Sequence, residues 1–93
     1  MISRTTKDFW KFYERLPDQI KKKAKDAFKR FQEDPYHPSL HFKRIHSSKP
    51  IFSVRVTKDY RVIGVTKGEI IIWFWIGSHN DYEKIIKRVR RVS

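Results

Sequence analysis

The chain contains no cysteine, which excludes a disulfide framework, a thiolate metal site and a cysteine nucleophile, and makes a reducing compartment compatible with it. Glycine, at three residues, and proline, at four, are too sparse for a linker, a low-complexity tract or a glycine-rich phosphate loop. They serve as punctuation between elements, and no internal repeat is present. The longest apolar run, Ile70 to Ile76, falls far short of the roughly 20 residues that a membrane helix needs. The N-terminus carries no signal-peptide core, so the expectation is a soluble, cytoplasmic protein with no membrane partner. The four histidines, His37, His41, His46 and His79, form no HExxH or other metal-ligand pattern, and no carboxylate cluster suits magnesium. A GxSxG nucleophile motif is also missing, and no cofactor is implied.

What is present is positive charge and aromatic surface. Lys and Arg number 22 against 10 acidic residues, giving a formal charge of +12. A domain this basic meets phosphates or an acidic protein, or simply carries a solvated cationic surface. Seven Phe, four Tyr and three Trp in a chain of 93 residues suffice for one compact core, so residues 1–93 are read as a single domain.

The elements follow from period and punctuation. Ile2 to Thr5 suits a short strand. Thr5 and Asp8 then read as the opening of an aromatic helix through Phe9, Trp10, Phe12, Tyr13 and Leu16, ended by Pro17. Pro17 suits the first position of a second helix, in which Ile20, Ala24, Ala27, Phe28 and Phe31 form the core stripe. Lys21, Lys22, Lys25 and Lys29 on its other side are a solvated face or a phosphate-binding ridge. Asp34-Pro35 stops it. Phe52, Val54 and Val56 alternate with Ser53, Arg55 and Thr57, the mark of a strand with one buried face. Turns at Lys58-Asp59 and Lys67-Gly68 continue an antiparallel meander through Tyr60 to Thr66 and Glu69 to Ile76, with helices expected on one face. A third helix follows Gly77-Ser78-His79, with Asn80 and Glu83 as its capping pair and Lys87, Arg88, Arg90 and Arg91 at its end.

Acid, base and cations are the ingredients of metal-free RNA cleavage. His79, between the central strand and a helix start, is the best placed titratable group, although a lone histidine is equally a structural residue. Arg55 and Arg61 lie on adjacent strands and can converge on one phosphate through their guanidinium forks, or pair with Asp59 or Glu69. Tyr82, one helical turn after His79, either stacks a base or packs on Ile86.

Several segments together form a recognisable order: Phe9 to Leu16, Leu16-Pro17, Asp34-Pro35-Tyr36-His37-Pro38-Ser39-Leu40, Phe52-Ser53-Val54-Arg55-Val56, Asp59-Tyr60-Arg61-Val62-Ile63, and Trp75 to Tyr82. Over nearly the whole chain this order resembles the RelE/ParE superfamily of toxins from toxin–antitoxin systems. The resemblance implies an α+β, microbial-RNase-like fold: two N-terminal helices on a twisted, mainly antiparallel four-stranded sheet, with a C-terminal helix. It implies an mRNA endoribonuclease working without metal in the ribosomal A site, restrained by an acidic antitoxin. Arg61 matches the arginine on the scissile phosphate, Arg55 a neighbouring basic position, and His79 a histidine that some branches carry as acid or base. Tyr82 matches a substrate-stacking aromatic and Asp59 an acidic residue of one branch. The loop Ser39-Leu40-His41-Phe42-Lys43 lacks the carboxylate base of another branch, leaving His41 or Lys43 as substitutes that contact substrate. The superfamily also implies two alternatives, a ParE-like inhibitor that binds DNA gyrase and an inactive antitoxin-binding homologue.

Overall fold

A computed structural model describes residues 1–91, with side chains through residue 89. The helix-ending cations Arg90 and Arg91 lie outside the described side chains. The order is β1 (Ile2–Thr5), α1 (Lys7–Glu14), α2 (Asp18–Glu33), a 3₁₀ turn at Pro38–Leu40, β2 (Lys43–Arg44), β3 (Ile51–Thr57), β4 (Tyr60–Lys67), β5 (Ile70–Ser78) and α3 (His79–Arg91). The strands form one five-stranded sheet in the order β1-β5-β4-β3-β2. Every pairing is antiparallel except β1 on β5, which runs parallel from Ile2 opposite Ile70 to Thr5 opposite Trp73. The strand beyond the expected four is β2, whose two residues are too few to show an alternating pattern.

Local chemistry moves several boundaries by a residue or two. Thr6, rather than Thr5, caps α1, its Oγ1 accepting from the Phe9 N–H at 3.1 Å. Thr5 instead accepts from the Trp10 indole N–H at 2.9 Å. The regular part of α1 ends at Glu14, and i to i−3 bonds from Arg15 and Leu16 tighten the chain before Pro17. Pro17 stands at the N-cap of α2, one residue earlier than expected. At α3 the cap is Ser78, whose Oγ accepts from the Asp81 N–H at 3.2 Å, so the Asn80 and Glu83 pairing is not the one used.

The sheet is covered on both sides: α1 and α2 lie on one face and α3 on the other, in keeping with the Ile70 to Ile76 run being apolar at every position. Alternation sends Val54, Val62, Ile71, Trp73 and Ile76 to the face under α1 and α2, with Phe9, Tyr13, Ala27, Phe31 and Leu40. Ile63 and Trp75 go to the other face, with Ile45 and with Tyr82 and Ile86 of α3. A register shift makes this possible. Ile63 pairs with Trp75 and Gly64 with Trp73, so Phe74 is an extra residue and the side chains after it change face. That is why the β5 run is apolar throughout. Phe31, Leu40, Ile63, Ile71 and Ile76 are almost fully enclosed, each worth about 1.5–3 kcal/mol of burial. Among the described residues no helix is long and apolar enough to cross a membrane.

Candidate active site

Cross-strand partners share a face of a sheet, and here the register lines up the cationic candidates. Arg55 on β3 stands opposite Arg61 on β4, and Arg61 stands opposite Gly77 on β5. Lys43 on β2 is opposite Ser53, two residues from Arg55 and therefore on the same side. That side is the one α3 covers, because the Tyr82 hydroxyl donates to Ser53 Oγ at 3.2 Å. The helix shields the middle of the sheet and leaves the end carrying Arg55 and Arg61 half-buried.

Arg61 is held by its own turn. Its Nη1 donates to the carbonyls of Thr57 at 2.7 Å, Tyr60 at 3.2 Å and Lys58 at 3.4 Å. Nε and Nη2 meet no acceptor among the described residues, which fixes the direction in which the guanidinium is still able to donate. Burial, and after it the charge of Arg55, push the Arg61 pKa below its ordinary value; Tyr82, Asp59 and Glu83 act in the opposite sense. An anion placed between the two arginines would offset their mutual repulsion.

His79 opens α3, and its backbone N–H donates to the Asp59 carbonyl at 2.6 Å, tying the helix start to the turn that holds Arg61. Its ring stacks on Tyr82 with centroids 6.0 Å apart and planes at 28°. Nε2 lies 3.4 Å from Glu83 Oε1, and the side chain is 45% exposed, enough for a substrate to reach it. Nδ1 is buried with no hydrogen-bond partner among the described residues.

Tyr82 requires a correction. Its ring is 4% exposed within the apolar cluster beneath α3, so it offers no face on which a base could stack. It supports His79 from below and anchors α3 to Ser53. His41 is brought to the site from the far side of β3, with Nε2 3.5 Å from Arg55 Nη1. It adopts a left-handed backbone at φ 46°, uncommon outside glycine. Lys43 is exposed on the same face as the arginines. The backbone of Asp59 is engaged at both ends, its N–H donating to Thr57 Oγ1 at 3.1 Å. Lys21 leaves the open cationic face expected of it, pairing with Glu14 at 3.4 Å and covering the Tyr13 ring.

Two functional features escaped the sequence. The sequence reads Glu83 as half of a cap, yet its i, i+4 spacing from His79 is the available signal for a carboxylate beside the imidazole. Gly77 completes the Arg55-Arg61-Gly77 row, and a Cβ there would lie 2.6 Å from the Trp75 ring, so the indole occupies the space that a side chain would fill. Among the described residues no group of three or more His, Cys, Asp or Glu converges to hold a metal ion.

Residues 18–84 match the ParE-like toxin domain, more than half of the chain. The chain therefore belongs to the ParE-like toxin family, within the RelE/ParE superfamily. Its fold is similar to that in the RelB–RelE antitoxin–toxin complex from Methanococcus jannaschii, with a TM-score of 0.72 and 19% identity over 88% of this chain and 96% of that one. It is also similar to the YoeB/ParE toxin from Agrobacterium tumefaciens, with a TM-score of 0.66 and 18% identity over 85% of this chain and 99% of that one. YafQ from E. coli matches with a TM-score of 0.67 and 16% identity over 86% and 94% of the two chains. No curated protein matches in sequence.

Proposed function

We propose that this chain is the toxin of a toxin–antitoxin pair and that it cleaves mRNA in the ribosomal A site without metal. The observation that carries this reading is the convergence of the Arg55–Arg61 pair and the Glu83-held His79 on one open end of the sheet. In such a cleavage the 2′-OH loses its proton to a base and its oxygen attacks the adjacent phosphorus. The bond to the 5′-oxygen breaks, and that oxygen takes a proton from an acid. Arg61, with its free donors, and Arg55 would neutralise the extra negative charge on the phosphoryl oxygens. His79 would serve as the acid or the base, with Glu83 orienting the ring. Lys43 and His41 would contact the strand on either side, and Tyr82 acts as a positioning residue.

The basic surface suits an acidic antitoxin that covers this site, and the RelB–RelE complexes among the similar structures support such a partner. The competing reading is a ParE-like inhibitor that binds DNA gyrase, which the family match keeps in play. Primer extension on a defined mRNA, with and without programmed ribosomes, separates the two. Cleavage that requires ribosomes is expected, falling about 10²–10⁴-fold in His79→Ala and about 10²–10³-fold in Arg61→Ala. Absence of cleavage together with inhibition of gyrase supercoiling would replace the nuclease by the binding inhibitor.

A further inference from the structure

Beyond the open edge of β3, on the side away from α3, lies a second cationic feature. It is a trough of about 510 Å³ between α2, the 3₁₀ turn and β3. Ala27, Leu40 and Val56 line it, and Ala27 and Leu40 belong to the buried core. Its walls are Lys23, Arg30, Arg55, Lys58 and His41, with Asp26 the acidic residue among them. On α2 the trough residues fall at positions 23, 26, 27 and 30, the spacing of one helical stripe, so the cations share a face by construction.

Two of these cations are held. Arg30 Nη1 donates to Ser39 Oγ at 3.2 Å, and Ser39 is fixed by His37 Nδ1, which lies 2.9 Å from its Oγ and accepts from its N–H at 3.2 Å. Arg55 is met by His41, whose left-handed backbone turns the chain out of the 3₁₀ turn. Arg55 is common to the trough and to the row with Arg61, so the two features form one cationic path around the strand edge. An apolar base with guanidinium forks along the rim suits alternating sugars and phosphates.

We infer that the trough bounded by Lys23, Arg30 and Arg55 binds the phosphodiester backbone of single-stranded RNA flanking the cleaved phosphate, so that the strand bends around the β3 edge. The inference rests on the ribonuclease reading, and it adds a remote phosphate site on α2 that takes no part in the chemistry. Phosphodiester is favoured over an acidic peptide because the path leads through Arg55 directly to the arginine pair.

The test is fluorescence anisotropy of a labelled, uncleavable DNA oligonucleotide of about 12 nucleotides, titrated at a series of KCl concentrations. Each phosphate contact in a single strand contributes about 0.7 to the slope of log K against log salt. The Lys23→Ala/Arg30→Ala double variant, changed at two exposed positions, is expected to lower that slope by about 1.4. Lys67→Ala, at the distant β4–β5 turn, is expected to leave it unchanged. A double variant with the wild-type slope would overturn the trough while leaving the nuclease reading to the ribosome assay. So would an equal loss in Lys67→Ala, which would mean diffuse charge. Wild-type protein that fails to bind the oligonucleotide, or that releases it equally well to a polyglutamate of the same charge, would also overturn the assignment.

Discussion

The two faces of the sheet solve different problems. Under α1 and α2 the packing is aromatic: Phe31 meets both Phe42 and Trp73 edge-on at 5.1 Å, and Phe9, Trp10 and Tyr13 pack on one another. Under α3 a single helix covers a smaller cluster, and the polar Tyr82–Ser53 bond sits inside it. The first face spends its side chains on stability. The second stops short of the strand ends, and Arg55 and Arg61 lie at that uncovered end. A fold of this size keeps a site open by covering one face incompletely, while the other holds the backbone still.

Gly64 and Gly77 allow the same intrusion to be made on each face. A Cβ on Gly64 would meet Trp73 at 2.6 Å and Ile71 at 3.1 Å, whereas the nearest atoms to one on Gly77 all belong to the Trp75 ring, starting at 2.6 Å. Both alanine variants should lose stability in urea unfolding, by about 2–3 kcal/mol at Gly64 and about 1–2 kcal/mol at Gly77. Equal losses would show that the α3 face yields no more readily than the other.

The polar anchor within the second face gives a smaller effect. Tyr82→Phe leaves the buried Ser53 hydroxyl without its partner and should cost about 1–2 kcal/mol. Adding Ser53→Ala should recover part of that loss. Strictly additive losses across the four proteins would show that the bond is not what fastens α3 to the sheet.

At the edge of the faces, His41 is strained by its backbone and useful through its ring. His41→Gly should be more stable than His41→Ala by about 1 kcal/mol, since only glycine accepts the left-handed φ freely. Both should weaken oligonucleotide binding alike if the ring holds Arg55. The smallest effect concerns the arginine pair. Burial and, after it, the charge of Arg55 depress the Arg61 pKa, so the Arg55 repulsion opposes folding throughout the neutral range in which both stay protonated. Arg55→Ala should therefore raise the melting temperature slightly at low salt, and the gain should fade as salt screens the pair. A fall at low salt would assign Arg55 a structural contribution larger than the repulsion.

Much of this organisation was legible because it is periodic. The 3.6-residue stripe of α2 placed Ile20, Ala24, Ala27 and Phe31 on the core, although Phe28 of the same stripe is exposed, and the alternation of Phe52, Val54 and Val56 placed Arg55 on the opposite side. The one-residue turn errors have a common cause: Thr5 and Thr6 offer equivalent caps in sequence, and only the position of the Trp10 indole chooses between them. Burial of Tyr82 was not legible. Its fate depends on Ser53, 29 residues earlier, and a single helical face does not reveal which of its aromatic residues lies underneath. The His79–Glu83 pair was visible as spacing, but the alternative partnership of Glu83 with Asn80 used the same spacing rule. The trough was hidden for a different reason, since it joins α2 to a strand edge across 25 residues of chain between Arg30 and Arg55.

The parallel pairing of β1 with β5 also has a consequence for biosynthesis. Ile2 to Thr5 leave the ribosome well before their partners, Ile70 to Trp73. Closing so long a loop is entropically slow and comes late. Strand β5 thus gains its parallel neighbour only after residues through Trp73 have been made, and the candidate site, which needs Gly77 to Glu83, follows directly. Ile2→Ala should accordingly speed unfolding while leaving the refolding rate unchanged in stopped-flow measurements; slowed refolding would place β1 in the nucleus instead. A nascent chain therefore has no candidate site until residues through Glu83 have left the ribosome.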